Sequence, residues 1–174
     1  MYGKQCISKG LKMVSLFKKI FTKKINIQAP VTGELIPLSS VPDEVFSTKI
    51  MGDGFAIKPT ENKLFSPISG TVLSVFPTKH AITFSTDGGI QVLLHLGIDT
   101  VELKGAPFNI LVHEGEHISA GDEIGTMDID QIIKAGKSTE IIIVITNMEK
   151  LKSIDRVSNT NVSHGDKIGA LNLS

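Results

Sequence analysis

The sequence predicts an all-β protein: an antiparallel β sandwich or barrel with an internal pseudo-repeat and few short helices. Three observations support this fold class. From Gln28 onward, short runs rich in β-branched residues are separated by Gly, Pro, Asn and Asp, which is the pattern of strands joined by turns. Two pairs of motifs recur along the chain, which indicates two related halves. One short stretch of the body has a helical pattern.

Composition limits the domain organisation and the location. The chain has 174 residues, 41% of them hydrophobic, which suits one domain with a substantial core. No apolar run reaches the roughly 18 residues of a membrane span, and the basic N-terminus is not followed by the apolar region of a secretory signal. The only cysteine, Cys6, cannot form an internal disulfide. We therefore expect a cytoplasmic protein.

Residues 1–27 are predicted to form a basic arm, and residues 28–174 the β-rich body. The arm segment LKMVSLFKKIFTKKI places apolar and basic side chains on opposite sides of a helix. Such a basic amphipathic helix is typical of weak, peripheral contact with an anionic membrane surface, here the inner face. The alternative is a solvated tail, or one docked on its own domain. Met13 is an alternative start, which would make residues 1–12 an extension.

Charge is divided between the two parts. Residues 1–33 contain seven lysines and no acidic residue, so the rest of the chain carries 11 basic and 18 acidic residues, a net charge of −7. An acidic body argues against nucleic-acid binding and favours basic protein partners.

The predicted strands and the helix follow one another along the body. The helical stretch is DQIIKA, residues 130–135, after the candidate N-cap Asp128. The strand-like runs, in chain order, are APVTGELIPL, FAIKPT, GTVLSVF, AITFST, IQVLLHLGI, FNILV and EIIIVITNM.

Internal repeats indicate a pseudo-symmetric structure. APVTGEL at 29–35 resembles SPISGTV at 66–72, and ISAGDEIGTMDI at 118–129 resembles VSHGDKIGALNL at 162–173. In Gly-Asp-x-Ile-Gly the glycines permit a tight turn, and the Ile is buried behind it. The same two elements mark biotinyl- and lipoyl-carrier domains, so we describe the fold as a duplicated hybrid motif. Those carriers need a Met-Lys-Met that this sequence lacks.

Two of the five histidines are candidates for chemistry. His113, His117 and His164 lie in polar turns, where exposed side chains are the ordinary interpretation. His80 and His95 lie on or beside strands, in FPTKHAITF and VLLHLGI. A hairpin centred on Gly88 would place residue 80 opposite about residue 96, which would bring the two rings together. Two unrelated, half-buried histidines are the alternative.

Two adjacent imidazoles suit phosphoryl transfer better than a closed metal site. A zinc site needs further ligands. A neutral imidazole can attack phosphorus through a ring nitrogen, and its neighbour can donate a hydrogen bond to the phosphoryl oxygens. The sequence has no Walker A motif, dinucleotide glycine fingerprint or Gly-x-Ser-x-Gly. Phosphate-loop ATP binding and serine hydrolysis are therefore not predicted.

At these residues the sequence resembles the glucose-class enzyme IIA of the bacterial phosphoenolpyruvate:sugar phosphotransferase system. The resemblance covers residues 28–174, the proposed enzyme IIA domain. The motifs that carry it are HLGIDTVELKG at 95–105, VPDEVFSTKIMGDGFAIKPT at 41–60, SPISGTVLSV at 66–75, PTKHA at 77–81 and ITNMEKL at 145–151.

The resemblance implies a set of roles. His95 would receive a phosphoryl group from phosphohistidine on HPr and pass it to a cysteine of a IIB domain during sugar uptake. His80 would stabilise that group, and Thr78 would hydrogen-bond His80 and fix its tautomer. Apolar residues would line the partner surface and two aspartates would form its acidic rim. The apolar set is Phe46, Ile50, Met51, Phe76 and Leu93, and the rim is Asp43 and Asp99.

Three interpretations beyond the relay stay open. The apolar set could be ordinary core, and Asp99 an ordinary turn residue. The same surface could regulate transporters or kinases according to its phosphorylation state. No cofactor is required, although zinc bound by His80, His95 and a partner's carboxylate is implied by the family as an optional addition. A zinc metallopeptidase on a related scaffold would use His95-x-x-x-Asp99, but its His-x-His is missing.

Overall fold

The computed structural model describes residues 24–158 and 160–174. Of the arm predicted over residues 1–27, residues 1–23 lie outside the described part. Fourteen strands and two short α-helices are present in the described residues. The strands are β1 Lys24–Gln28, β2 Gly33–Ile36, β3 Asp53–Pro59, β4 Lys63–Phe65, β5 Gly70–Val75, β6 Ala81–Ser85, β7 Gln91–Ile98, β8 Phe108–Ile110, β9 His117–Ile118, β10 Glu123–Met127, β11 Ser138–Ile145, β12 Leu151–Arg156, β13 Asn161–Val162 and β14 Lys167–Leu173. The α-helices are α1 Glu44–Ser47 and α2 Ile129–Lys134, and the 3₁₀ helices are Leu38–Ser40, Thr100–Leu103 and Met148–Lys150.

The strands form three antiparallel sheets. The large sheet has the order β13-β2-β3-β11-β7-β6-β5-β9, and the smaller ones have the orders β1-β14-β12 and β4-β10-β8. One face of the large sheet packs against both small sheets in the main core, where residues such as Leu94, Ile143, Ile124 and Leu171 are fully buried. This arrangement confirms the predicted antiparallel β sandwich with few short helices.

The other face of the large sheet carries a second, smaller core, here called the outer cluster. Side chains alternate between the two faces of a strand, so Leu93 and Val144 point away from the main core. Residues 37–52, here called the cover segment, lie across this face and contribute Leu38, Val41 and Phe46 to the cluster. The cover segment contains α1, which the strand-like interpretation of the sequence missed.

The two predicted repeats make equivalent hydrogen bonds. Gln28 N donates to Pro67 O, and Phe65 N donates to Pro30 O, so the two Pro-containing turns bind each other reciprocally. Ala29 N donates to Asp166 O, as Ser66 N donates to Asp122 O. The internal pseudo-repeat is therefore present in the hydrogen bonding as well as in the sequence.

The predicted boundaries need small corrections. Lys24–Ile27, assigned to the arm, form most of β1 and pair with β14, and Ile27 is fully buried. The arm prediction is wrong for these four residues, because they belong to a paired strand whose Ile25 and Ile27 side chains pack in the main core. Asp128 caps α2, as predicted, by accepting a hydrogen bond from Gln131 N. Among the described residues, no helix has the length and apolar character to cross a membrane.

Candidate active site: a histidine pair beside the outer cluster

His95 lies in β7, between β6 and β11, on the outer face of the large sheet. Its neighbours across the ladder are Ala81 and Ile142, both buried in the outer cluster. The ring itself is half-buried, and the Phe46 ring of the cover segment lies 5.0 Å from it, centroid to centroid. The strand therefore presents the imidazole at the margin of an apolar cluster.

His80 precedes β6 and stands against His95. Leu96 N donates to His80 O at 2.8 Å, which is the predicted pairing of residue 80 with residue 96. Residues directly opposite each other share a face of the sheet, and successive residues alternate between faces. A regular ladder would therefore put His80 on the face of Leu96, opposite to that of His95. The chain departs from extended geometry just before His80, where Lys79 has φ +55°. The two rings meet edge to face, with centroids 5.1 Å apart and planes at 80°.

Hydrogen bonds fix one nitrogen of each ring. His95 Nδ1 lies 2.8 Å from Gly97 O, and a carbonyl oxygen only accepts, so Nδ1 carries the hydrogen. In the neutral ring the lone pair is then on Nε2. His80 Nδ1 lies 2.6 Å from Thr78 Oγ1, which pairs the two residues as the family resemblance implies. A threonine hydroxyl can donate or accept, so this bond is compatible with either tautomer of His80.

The surroundings favour neutral histidines. Burial lowers the pKa of His95, and the nearby His80 lowers it further, while the Gly97 bond, Asp43 and Asp99 act in the opposite direction. Burial also lowers the pKa of His80. Both pKa values lie below the ordinary histidine value, so both rings are neutral at cellular pH.

The predicted apolar surface separates into an exposed and a buried part. Ile50, Met51 and Phe76 are exposed by 77%, 41% and 38%, and the Phe76 ring contacts His80 edge to face at 5.4 Å. Phe46 and Leu93 are buried, at 7% and 6%. Both pack into the outer cluster, and the Phe46 ring also lies against His95. Their contact with a partner stays a prediction.

The two aspartates of the predicted rim differ in structure. Asp43 is the N-cap of α1 and accepts hydrogen bonds from Val45 N and Phe46 N. Asp99 is exposed and adopts φ +57° at the start of the 3₁₀ turn, where its side chain makes no capping bond. Both are close enough to His95 to raise its pKa, so negative charge borders the site.

Sequence reasoning assigned no role to Gly97 or Thr100. Gly97 has φ +74° and provides the carbonyl that holds His95. Thr100 is fully buried, and its hydroxyl donates to Leu96 O. Both lie inside the HLGIDT motif, and a glycine two residues after the strand histidine is a detectable signal for a positive φ. Val45 and Val101 are further exposed apolar residues, at 44% and 47%, beside the two aspartates in sequence.

The remaining histidines are exposed, as predicted. His113 lies in the turn before β9, and His117 begins β9, where it pairs with Thr71, instead of lying in a turn. His164 stacks on the Phe65 ring at 4.1 Å. Within residues 24–158 and 160–174, no group of three or more His, Cys, Asp or Glu side chains could hold a metal ion. The peptidase alternative, which needs such a group, therefore gains no support from this part of the chain.

Comparisons with known proteins agree on one family. The family model for the phosphoenolpyruvate-dependent sugar phosphotransferase system, EIIA 1, matches residues 25–151. The glucose-specific EIIA component of Staphylococcus aureus is 41% identical over 157 residues, which cover 87% of this chain and 95% of that protein. The glucose-specific EIICBA component of Streptococcus pneumoniae is 48% identical over 122 residues, which cover 70% of this chain and only 17% of that longer protein.

A solved structure shows the same fold. The glucose permease IIA of Mycoplasma capricolum superposes with a TM-score of 0.82 at 38% identity, and the match covers 86% of this chain and 97% of that one. The family model, the relatives and the fold all lead to one assignment. This chain belongs to the EIIA 1 family of the phosphoenolpyruvate-dependent sugar phosphotransferase system.

Proposed function

We propose that the chain is a cytoplasmic phosphocarrier: His95 accepts a phosphoryl group from phosphohistidine on HPr and donates it to a cysteine of a IIB domain. The observation that carries this proposal is the bond from His95 Nδ1 to Gly97 O, which leaves Nε2 of a neutral, half-buried ring as the nucleophile.

The chemistry needs no cofactor. In the first step the P–N bond of phospho-HPr breaks as a P–Nε2 bond forms on His95, and in the second that bond breaks as a P–S bond forms on the IIB cysteine. His80 would donate a hydrogen bond to the phosphoryl oxygens, where negative charge is concentrated. This requires Nε2–H on His80, and a Thr78 hydroxyl that donates to Nδ1 would hold that tautomer.

The surroundings of the histidines suit protein partners. Ile50, Met51 and Phe76 provide exposed apolar contact area, and Asp43 and Asp99 provide negative charge. A basic HPr would be attracted to this acidic border, and such attraction increases association rates more than affinity. A relay protein benefits from that balance, since it must release each partner.

The test is phosphoryl transfer from phosphoenolpyruvate through enzyme I and HPr, followed by intact mass. The wild type should gain one acid-labile phosphoryl group and His95→Ala none. His80→Gln should gain the group but fail to pass it to IIB. No gain in folded wild type with active phospho-HPr would refute the proposal.

Regulation by phosphorylation state is a second candidate for the same surface. A phosphoryl group on His95 would add about two negative charges beside the exposed Ile50, Met51 and Phe76. A transporter or kinase that contacts these apolar side chains would then bind only the unphosphorylated form. Affinity for a purified candidate partner, measured with and without phosphorylation, should differ at least tenfold, and equal affinities would exclude this role for that partner.

Zinc is an optional third component of the same proposal. Hydrogen bonds occupy Nδ1 of both histidines. Nε2 of His95 is free for a metal, and Nε2 of His80 would be in the other tautomer, in which Nδ1–H donates to Thr78 Oγ1. Two nitrogens do not complete a tetrahedral site, and a partner's carboxylate would have to contribute. Titration with zinc alone should therefore show weak binding that His80→Gln abolishes, and tight binding by the free chain would contradict this arrangement.

A further inference from the structure

We propose that the Thr100 hydroxyl is a positioning element for the phosphoryl acceptor: it holds the loop after β7 so that Gly97 O receives the His95 Nδ1 hydrogen. The inference rests on the proposed function for its consequence in catalysis, but its structural part can be tested separately.

The starting point is a buried hydroxyl with a specific partner. Thr100 has no exposed surface. In the described part of the chain, the other buried polar residues are Ser66 and Thr86. Its Oγ1 donates to Leu96 O at 2.5 Å, across the turn that contains Gly97. Buried polar groups require such partners, so this bond constrains the turn strongly.

The Leu96 backbone connects this bond to both histidines. Leu96 O accepts from Thr100, and Leu96 N donates to His80 O at 2.8 Å. Residue 96 lies between His95 and the residue whose carbonyl holds the His95 ring. The β7–β11 ladder has a register shift between Ser138 and Ile141, so the sheet is irregular at this turn. At this irregular point the ladder hydrogen bonds hold the chain less firmly than in the regular part of β7, and the Thr100 bond adds a constraint there.

The side-chain methyl of Thr100 occupies the space beside Gly97. A Cβ added to Gly97 would lie 2.5 Å from Thr100 Cγ2 and 2.7 Å from Ser138 O. The methyl limits the room in which the turn can move, while the hydroxyl sets the direction of the Leu96 carbonyl and of the peptide group that follows it. Loss of the hydroxyl alone should let that peptide rotate and weaken the Gly97 bond to His95.

The expected consequence is a change of tautomer. Without a firm acceptor at Nδ1, part of the neutral His95 population would carry its hydrogen on Nε2, the nitrogen that must attack phosphorus. The ring would also be less well oriented, and small misplacements of reacting groups slow reactions strongly.

The experiment compares Thr100→Val, which keeps the shape and removes the hydroxyl, with Thr100→Ser, which keeps the hydroxyl. Thr86→Val is the matched control, because it removes a buried threonine hydroxyl that accepts from Ile90 N in a different turn. Two readouts are needed on the full chain: ring-nitrogen NMR signals of ¹⁵N-labelled His95 at alkaline pH, and the rate of phosphoryl acceptance from phospho-HPr.

We expect Thr100→Val to shift His95 toward Nε2–H and to slow acceptance about tenfold or more, while Thr100→Ser and Thr86→Val behave like wild type. Unchanged Nδ1–H signals in folded Thr100→Val would overturn the proposal, whatever its rate, and so would an equal loss in Thr100→Ser. If Thr100→Val does not fold, Thr100→Ala is measured against the same criteria. A tautomer shift in a protein whose wild type accepts no phosphoryl group would refute the proposed function and leave the positioning role intact.

Discussion

At the scale of single residues, the chemistry of His95 and His80 depends on partial burial. Burial lowers the pKa of both imidazoles below the histidine value of about 6.5 found in unfolded chains. The unfolded chain therefore binds more protons than the folded one as the pH falls through that value. The free energy of unfolding should therefore rise with pH between the lowered pKa values of the folded state and the unfolded-state value, and this contribution is lost at lower pH.

We expect the free energy of unfolding to fall as the pH is lowered from about 7.5 to about 5.5, and His95→Gln to reduce that slope. Urea unfolding of the wild type and of His95→Gln at a series of pH values measures the slope. Asp53 and Asp155, whose pKa values are lowered, act in a more acidic window below about pH 4, so the effects are separable. An identical slope in wild type and His95→Gln would contradict this origin.

Gly97 permits a second residue-scale prediction with a matched control. Gly97→Ala should be destabilising by about 2 kcal/mol or more, because the positive φ disfavours a side chain and the new Cβ would collide with Thr100 and Ser138 O. Gly115→Ala has a similar φ, +84°, but no atom within 4 Å of its added Cβ. Chemical denaturation should show the smaller loss, about 1 kcal/mol, for Gly115→Ala. Equal losses of stability in the two variants would mean that the positive φ alone, without the contacts to Thr100 and Ser138, accounts for the need for glycine at position 97.

At the scale of elements, the cover segment connects the outer cluster to the histidine pair. Asp43 caps α1, and α1 places Phe46 both in the cluster and against the His95 ring. The aspartate predicted as a partner contact therefore also has a structural role. Its capping bonds and its charge can be separated by mutation, because asparagine caps a helix about as well as aspartate does.

Asp43→Ala should cost about 1 kcal/mol of stability through loss of the cap. Asp43→Asn should retain the stability but lower the pKa of His95, because the Asp43 charge raises it in the wild type. Thermal or urea unfolding measures the first effect, and an NMR titration of His95 the second. If Asp43→Asn is as destabilised as Asp43→Ala, the charge, not the cap, holds the cover segment.

The elements also show what the sequence could predict. Period-two patterns and the Asp-Gly-Gly turn placed the β6–β7 hairpin and even its register. The face of His80 was not predictable from alternation, because His80 lies before β6 and follows Lys79, which has a left-handed conformation. The cover segment was missed because α1 has four residues, too few for a helical period. Phe46 and Leu93 are buried together with this segment, as the core alternative for the apolar set allowed.

At the scale of the whole molecule, the pseudo-repeat builds the sandwich but not the site. Both halves use equivalent turns, in which Ser119 N donates to Asp122 and Ser163 N donates to Asp166. The histidine pair comes from a single hairpin of the large sheet. Symmetry thus accounts for the scaffold, while the candidate site is built on local departures from it, where residues 79, 97 and 99 have positive φ.

The uneven charge distribution supports a last prediction, for the arm. Residues 1–33 are basic and the remainder has a net charge of −7, so the arm, not the body, should attract anionic lipid. We expect the full chain to bind vesicles containing anionic lipid in a salt-sensitive way, and neutral vesicles far less. Deletion of residues 1–23 should abolish binding, and it preserves β1, whose Lys24 pairs with Asp155.

Replacement of Lys18, Lys19 and Lys23 by Gln tests the electrostatic part without removing the apolar side chains. At about 1 kcal/mol for each lysine near an anionic surface, the affinity should fall by about two orders of magnitude. Vesicle co-sedimentation at two salt concentrations measures the change, and unaltered phosphoryl acceptance shows that the body is intact. Wild-type binding by the deletion variant would assign the contact to the body instead, against its negative charge, and would exclude the arm as a membrane element.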